Sequence, residues 1–344
     1  MQLTQKPGRT TIINNEEYLF FSGYSYLGLG ANEDFLNLIK EGIDVYGVVY
    51  PSSRISNTPL DIYTSFETSL AQLTSTPAAA VFSSGFLSAR TAVEIVAQQM
   101  NVYYLFGTHP ASSHCNKAIQ IEEGKNWAEF LADRDAANEF EFALAADSIN
   151  PTPGTITDFS FLKTLPSKFK FVLIADDSHG IGWMGSKGEG IVSTLQLPAN
   201  IELLLNFSLS KAYHLNAGAI CGSLKWIEFA KQHVNYTTST PPMPSLAYAW
   251  LKASAIFNIQ RNLLHQNIHY LQKLLGGVTF ATHGGTPVFE VHKKSVAQYL
   301  LQNNVLISSF GYPHPYNDPV NRIVVNALHT KHDLEKLTQL IDQY

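Results

Sequence analysis

Six short apolar segments recur between residues 78 and 223, and the way they lack alternation constrains the fold more than any other feature of the chain. They read AAAVFSSG (78–85), VYYLFG (102–107), EFALAAD (141–147), KFVLIADD (170–177), IELLLNFS (201–208) and AGAICGS (217–223). A strand with one face in water alternates apolar and polar residues. Several of these segments are apolar on consecutive positions, as strands covered on both faces are. Helix-like stretches such as 63–73 and 89–99 fall between them. Alternating strands and helices predict an α/β chain, with a mostly parallel central sheet over about residues 35–235 and helices on both faces.

The pattern breaks at NYTTSTPPMPS (235–245), where three prolines fall in four positions. A long helix is predicted over 246–275. Beyond it come VTFATHGGTPVFEVH, NVLISSFGYP and NRIVVNALH, a helix over 296–303 and a last helix from Asp333. This predicts a small C-terminal α+β domain. The expected division is an N-terminal segment 1–35, a large domain 36–240 and a small domain 241–344.

The 344 residues are 45% hydrophobic and 15% charged, enough to bury a core and too apolar for disorder. The net charge is −5 and there is no basic run, so nucleic acid is not an expected partner. Cys115 and Cys221 lie in no CxxC pair, which argues against a disulfide framework or a zinc knuckle. The start, MQLTQKPGRTTI, has no apolar leader, and no stretch approaches the roughly 20 apolar residues of a membrane helix. A cytoplasmic protein with no membrane association is expected.

Chemistry concentrates in VLIADDSHGIGWMG (172–185), an apolar run ending in Asp176, Asp177, Ser178 and His179. In a parallel sheet, ligands sit beyond the carboxyl ends of the strands, where this cluster falls. A metal site needs more ligands than Asp-x-x-His supplies, and no second cluster stands out. A hydrolase triad needs a serine in a turn such as GxSxG, which SSGFLSA does not match. Asp177 reads as a structural cap. The second motif is NFSLSKAYHLNAGAICGS (206–223), in which Lys211 follows an apolar strand. A lysine at the mouth of a buried sheet is costly as a bare cation; its amine suits a Schiff base with pyridoxal phosphate. That chemistry needs a carboxylate on the pyridine nitrogen, for which Asp176 is placed, and a donor near the ring oxygen, for which His179 is placed. It also needs an anion site, and FSSGF (82–86) offers N–H groups at a helix start.

DDSHGIGWMG resembles the DEAHGxGxxG signature of the α-oxoamine synthases, and SLSKAYHLNAGAICGS resembles their TFSKAxGxxGGxxxGS. YSYLGLGANEDF, the stretch from YGVVYPSSR to LAQL, FSSGFLSA, GTHPASSH, YTTSTPPMPS and RIVVNALHTKHDLEKL resemble further family motifs, so the likeness runs through most of the chain. The resemblance implies a fold-type I pyridoxal-phosphate transferase. Such an enzyme condenses a small amino acid, alanine in the first instance, with an acyl thioester of CoA or acyl carrier protein and releases carbon dioxide. It implies that Lys211 binds the cofactor and moves the Cα proton, that Asp176 pairs with the pyridine nitrogen and that His179 contacts the ring oxygen. His109 would stack over the ring, and Gly85, Phe86 and Ser208 would hold the phosphate. Thr238 would reach the phosphate of a neighbouring subunit in a homodimer. Arg322 would clamp the substrate carboxylate.

The departures fall on substrate-shaping positions. Tyr24 stands where the family has asparagine, VVYPSSR replaces the glycine-rich GxGGSR, and the histidine of GTxxxH is missing. Ala89 replaces the asparagine of SGYxAN. DSINPTPG (147–154) replaces ExxxSMDGD, with Pro151 at the serine position. An aminotransferase on the same scaffold, or a non-catalytic protein keeping the fold, are the alternatives these departures leave.

Overall fold

The computed structural model describes residues 2–113, 118–152, 154–276, 281–283 (backbone only), 285–311 and 316–344. Cys115 lies outside the described residues. The chain opens with a hairpin, β1 (Thr10–Ile13) and β2 (Glu16–Phe21). Seven strands then build the large sheet: β3 (Ala78–Phe82), β4 (Val102–Tyr104), β5 (Ala118–Gln120), β6 (Glu141–Asp147), β9 (Lys170–Asp176), β10 (Ile201–Ser208) and β11 (Gly218–Gly222). Between them β7 (Ile149–Asn150) and β8 (Thr155–Ile156) form a short ribbon. The strand order is β3-β11-β10-β9-β6-β4-β5. All pairs are parallel except those of β11, which runs antiparallel to both β10 and β3.

The unbroken apolar runs follow from burial on two faces. Along β9, Phe171, Leu173 and Ala175 enter one hydrophobic cluster, while Val172 and Ile174 enter another. Successive side chains of a strand point to opposite faces, so both registers must be apolar when helices cover both. Ala92, Val93 and Val96 of the helix Gly85–Val96 cover one face together with Trp226. Phe66 and Leu70 of the helix Asp61–Leu73 lie on the other.

A second sheet has the order β1-β2-β14-β15-β13-β12, with β12 (Ala281–His283), β13 (Val288–Val291), β14 (Val305–Gly311) and β15 (Pro319–Val324). The N-terminal β2 runs parallel to β14, so this smaller layer takes strands from both ends of the chain. The helix predicted over 246–275 is two helices, Pro244–Lys252 and Ser254–Leu274, parted at Ala253. Trp250, Ala253 and Phe257 are all buried there, so tertiary packing sets the break and no proline or glycine marks it. Among the described residues no helix is long and apolar enough to cross a membrane.

Candidate active site

The parallel strands end together. β6 and β9 pair with Asp147 opposite Asp176, and β10 sets Asn206 opposite Asp176. A cavity of about 360 Å³ opens over this edge. It is lined by seven residues singled out from the sequence: Gly85, Phe86, His109, Asp176, His179, Ser208 and Lys211. Gly85 and Phe86 open a helix, Asp176 and Ser208 end strands, and His109, His179 and Lys211 lie in loops, all gathered at one edge of the parallel sheet.

The two neighbouring acids of the motif divide. Asp176 lines the cavity, and its Oδ1 accepts the Ser178 N–H at 2.9 Å. Asp177 is fully buried; its carboxylate accepts from Ser148 Oγ at 2.5 Å and from the Ile191 N–H at 2.9 Å. Burial pushes its carboxyl up to about 7. A Cβ on Gly180 or Gly190 would overlap this carboxylate, which accounts for glycine at both positions. Asp177 thus ties the end of β9 to the turn Gly190–Ser193 rather than capping the segment that follows the strand.

Asp147, which opens DSINPTPG, lines the cavity and accepts the His109 N–H with both oxygens, at 3.2 and 3.1 Å. Burial, and then the Asp176 charge, push it up to about 8. Its folded-state pKa therefore exceeds that of the unfolded chain, so the stabilising protonation is complete below about pH 4 and is lost as pH rises towards 8. Denaturant melts of the cofactor-free protein should show stability falling across that window, and Asp147→Asn should flatten part of the fall. An identical slope in the variant would contradict this assignment.

Lys211 sits in the loop between β10 and β11. Burial lowers its ammonium, opposed by the Asp176 and Asp147 carboxylates. A depressed amine spends more time as the free base that attacks an aldehyde. His179 is held well below its ordinary value by burial, by Lys211 and then by Arg322, so the ring is neutral.

The anion site is local geometry. Ser84 caps the helix Gly85–Val96 by accepting the Leu87 N–H at 3.2 Å. The N–H groups of Gly85 and Phe86 have no carbonyl partner inside the helix and lie at the cavity wall. A Cβ on Gly85 would stand 2.7 Å from Ser208 Cα, so only glycine lets β10 approach the helix start. The Ser208 hydroxyl meets Ser210 Oγ at 2.7 Å, and the Ser208 N–H is taken by Ser178 Oγ at 2.9 Å. Ser84, Ser178 and Tyr26 are further site residues; each lies inside a motif, FSSGF, DDSHG and YSYLGLG, in which the sequence assigns it no role.

Two predicted residues lie outside this cavity. Thr238 is exposed, and its hydroxyl donates to the Val234 carbonyl at 2.7 Å. Arg322, on β15, donates to the Pro151 carbonyl at 2.9 Å and stacks over Phe310 at 4.7 Å. Its charge still reaches His179 and Tyr26. The departures also have places. Tyr24 and Pro151 line the cavity, whereas Ala89 is fully buried in its helix. Arg54, from the altered turn, lies 4.1 Å over the Tyr236 ring and donates to the Val81 carbonyl at 2.5 Å. An amine, a carboxylate, a neutral imidazole and an anion cup around one cavity fit a phosphorylated pyridine aldehyde.

No protein-family model matches the chain. It is similar to the 8-amino-7-oxononanoate synthases of Thermosipho melanesiensis, at 23% identity over 97% of this chain and 90% of that one, and of Fervidobacterium nodosum, at 24% over the same shares. Among solved structures, Sphingomonas wittichii serine palmitoyltransferase superposes with a TM-score of 0.83 at 17% identity, covering 98% of this chain and 89% of that one. A structure described as SPT with PLP gives 0.84 at 18%, covering 99% and 91%. Francisella tularensis 8-amino-7-oxononanoate synthase gives 0.73 at 20%, covering 95% and 97%.

Proposed function

We propose that the chain is an α-oxoamine synthase of the fold-type I pyridoxal-phosphate enzymes, joining a small amino acid to an acyl thioester with release of carbon dioxide, the free thiol and an α-amino ketone. The specific form is an 8-amino-7-oxononanoate synthase activity, in which alanine meets a pimeloyl thioester for biotin synthesis. The observation that carries the reading is the meeting of Lys211 and Asp176 in one cavity beside a helix N-terminus. The sequence relatives' names support the acyl-transfer form.

Pyridoxal phosphate, when bound, supplies a pyridine ring that accepts the electron pair released at the amino acid's Cα. The chain does the rest. Asp176 would hold a proton on the pyridine nitrogen, because a carboxylate in a low-dielectric site favours the cation beside it. Lys211 would hold the cofactor through its amine and would serve as the group that moves the Cα proton. Gly85, Phe86 and Ser208 would hold the phosphate, His179 would donate to the ring oxygen, and His109 would lie against the ring; all five line the cavity. Asp147 holds the His109 main chain in place. Arg322 binds the substrate carboxylate as a planar pair, pre-set by its bond to Pro151. Thr238 would serve the partner's phosphate in a homodimer, in keeping with its exposure and its absence from the lining of its own chain's cavity.

Arg322→Lys should raise the KM for the amino acid about 10- to 100-fold while leaving cofactor affinity unchanged, since a point charge replaces a bidentate fork. Steady-state kinetics with a parallel cofactor titration check it; an unchanged KM would remove Arg322 from the substrate site. The reaction itself is tested with alanine and pimeloyl-CoA, following free CoA and carbon dioxide. Equal amounts of both are expected. A keto acid formed without thioester consumption would replace this reading with an aminotransferase.

A further inference from the structure

Tyr26, in the turn after β2, is 1% exposed, and its hydroxyl lies 2.7 Å from His179 Nδ1. We propose that Tyr26 is a positioning residue: its phenol donates to His179 Nδ1, placing the imidazole proton on Nε2 and making His179 an obligate hydrogen-bond donor to the cavity.

The distance alone allows two arrangements, phenol donating to the ring or the ring donating to the phenol. Proton accounting decides between them. If the ring donated, the phenol hydrogen would need another acceptor. Among the described residues His179 is the side chain that Tyr26 Oη meets. An O–H buried without an acceptor is costly, so the phenol donates and Nδ1 accepts. Burial keeps the phenol protonated, and burial with the Lys211 and Arg322 charges keeps the imidazole neutral, so neither proton is lost from the pair. The single ring proton is then on Nε2. Among the described residues Nε2 meets no protein acceptor, and His179 lines the cavity.

Both partners are anchored independently of any ligand. The Tyr26 N–H donates to the Tyr24 carbonyl and its carbonyl accepts from the Ala327 N–H, each at 2.9 Å. The His179 carbonyl accepts from Trp183 Nε1 at 2.5 Å. A neutral Nε2–H can give a hydrogen bond and cannot take one, so it selects an anionic or acceptor oxygen. That this oxygen is the ring oxygen of pyridoxal phosphate rests on the function proposed above; the tautomer does not.

The test keeps the two apart. Nitrogen-15 histidine spectra of the cofactor-free protein report which ring nitrogen carries hydrogen, and His179→Gln identifies the signals among the 12 histidines. The wild type should show a bare Nδ1 and a protonated Nε2 from about pH 6 to 8. Tyr26→Phe should give a mixture of the two forms. A protonated Nδ1 in the wild type would overturn the proposal whether or not the variant folds. With pyridoxal phosphate bound, Tyr26→Phe should raise the pH midpoint of the visible absorption band by about half a unit to one unit, because an anionic oxygen loses a fixed donor. An unmoved midpoint alongside the expected tautomer would overturn the ring-oxygen contact and leave the Tyr26–His179 pair standing.

Discussion

Lys211→Ala is expected to lower kcat by at least about 10⁴-fold, since it removes the covalent anchor and the proton carrier together. Such paired losses are not additive, so a second change at His179 should cost little more in the same background. The protein should still fold, because Lys211 occupies a loop rather than a packed strand. Its removal has an electrostatic signature too. The Lys211 charge lowers the Asp147 carboxyl, which already stands at about 8, so the variant should hold the Asp147 proton to higher pH. Steady-state rates and a carboxyl titration by infrared difference spectroscopy check the two halves. A variant within tenfold of the wild-type rate would remove Lys211 from the chemistry.

Asp176→Ala should separate attachment from turnover. The amine of Lys211 remains, so the cofactor still bonds to it and borohydride still fixes it there. Turnover should fall by about 10³-fold or more, because the pyridine nitrogen loses the charge that keeps it protonated. The stability loss should be only on the order of 1 kcal/mol, since Asp176 accepts a single main-chain N–H, from Ser178. Undiminished turnover would show that the carboxylate plays no part.

Much of this site was legible because it depends on local patterns. Strands covered on both faces are apolar at every position, so β6, β9 and β10 stand out, with bounds Glu141–Asp147, Lys170–Asp176 and Ile201–Ser208. Their carboxyl ends then carry Asp147, Asp176 and Ser208 to one edge as a consequence of parallel pairing. What was not legible depends on distant contacts. β5 has three residues, too few for a periodic signal. The break at Ala253 has no helix-breaking residue to mark it. The pairing of β2 with β14 joins residues nearly 300 positions apart, and no local pattern encodes it. Tyr26 was visible inside YSYLGLG, but its meeting with His179 spans 153 positions. Arg322 stands in a local motif, whereas the Pro151 carbonyl that accepts from it lies 171 positions away, where the sequence shows only a missing serine.

Borohydride reduction of the purified holoenzyme, followed by proteolysis and mass mapping, reads out which lysine holds the cofactor. One pyridoxyl-phosphate group is expected, carried on the peptide that contains Lys211 and lost in Lys211→Ala. Label on another lysine, or a protein that takes up no added pyridoxal phosphate, would contradict the role of Lys211.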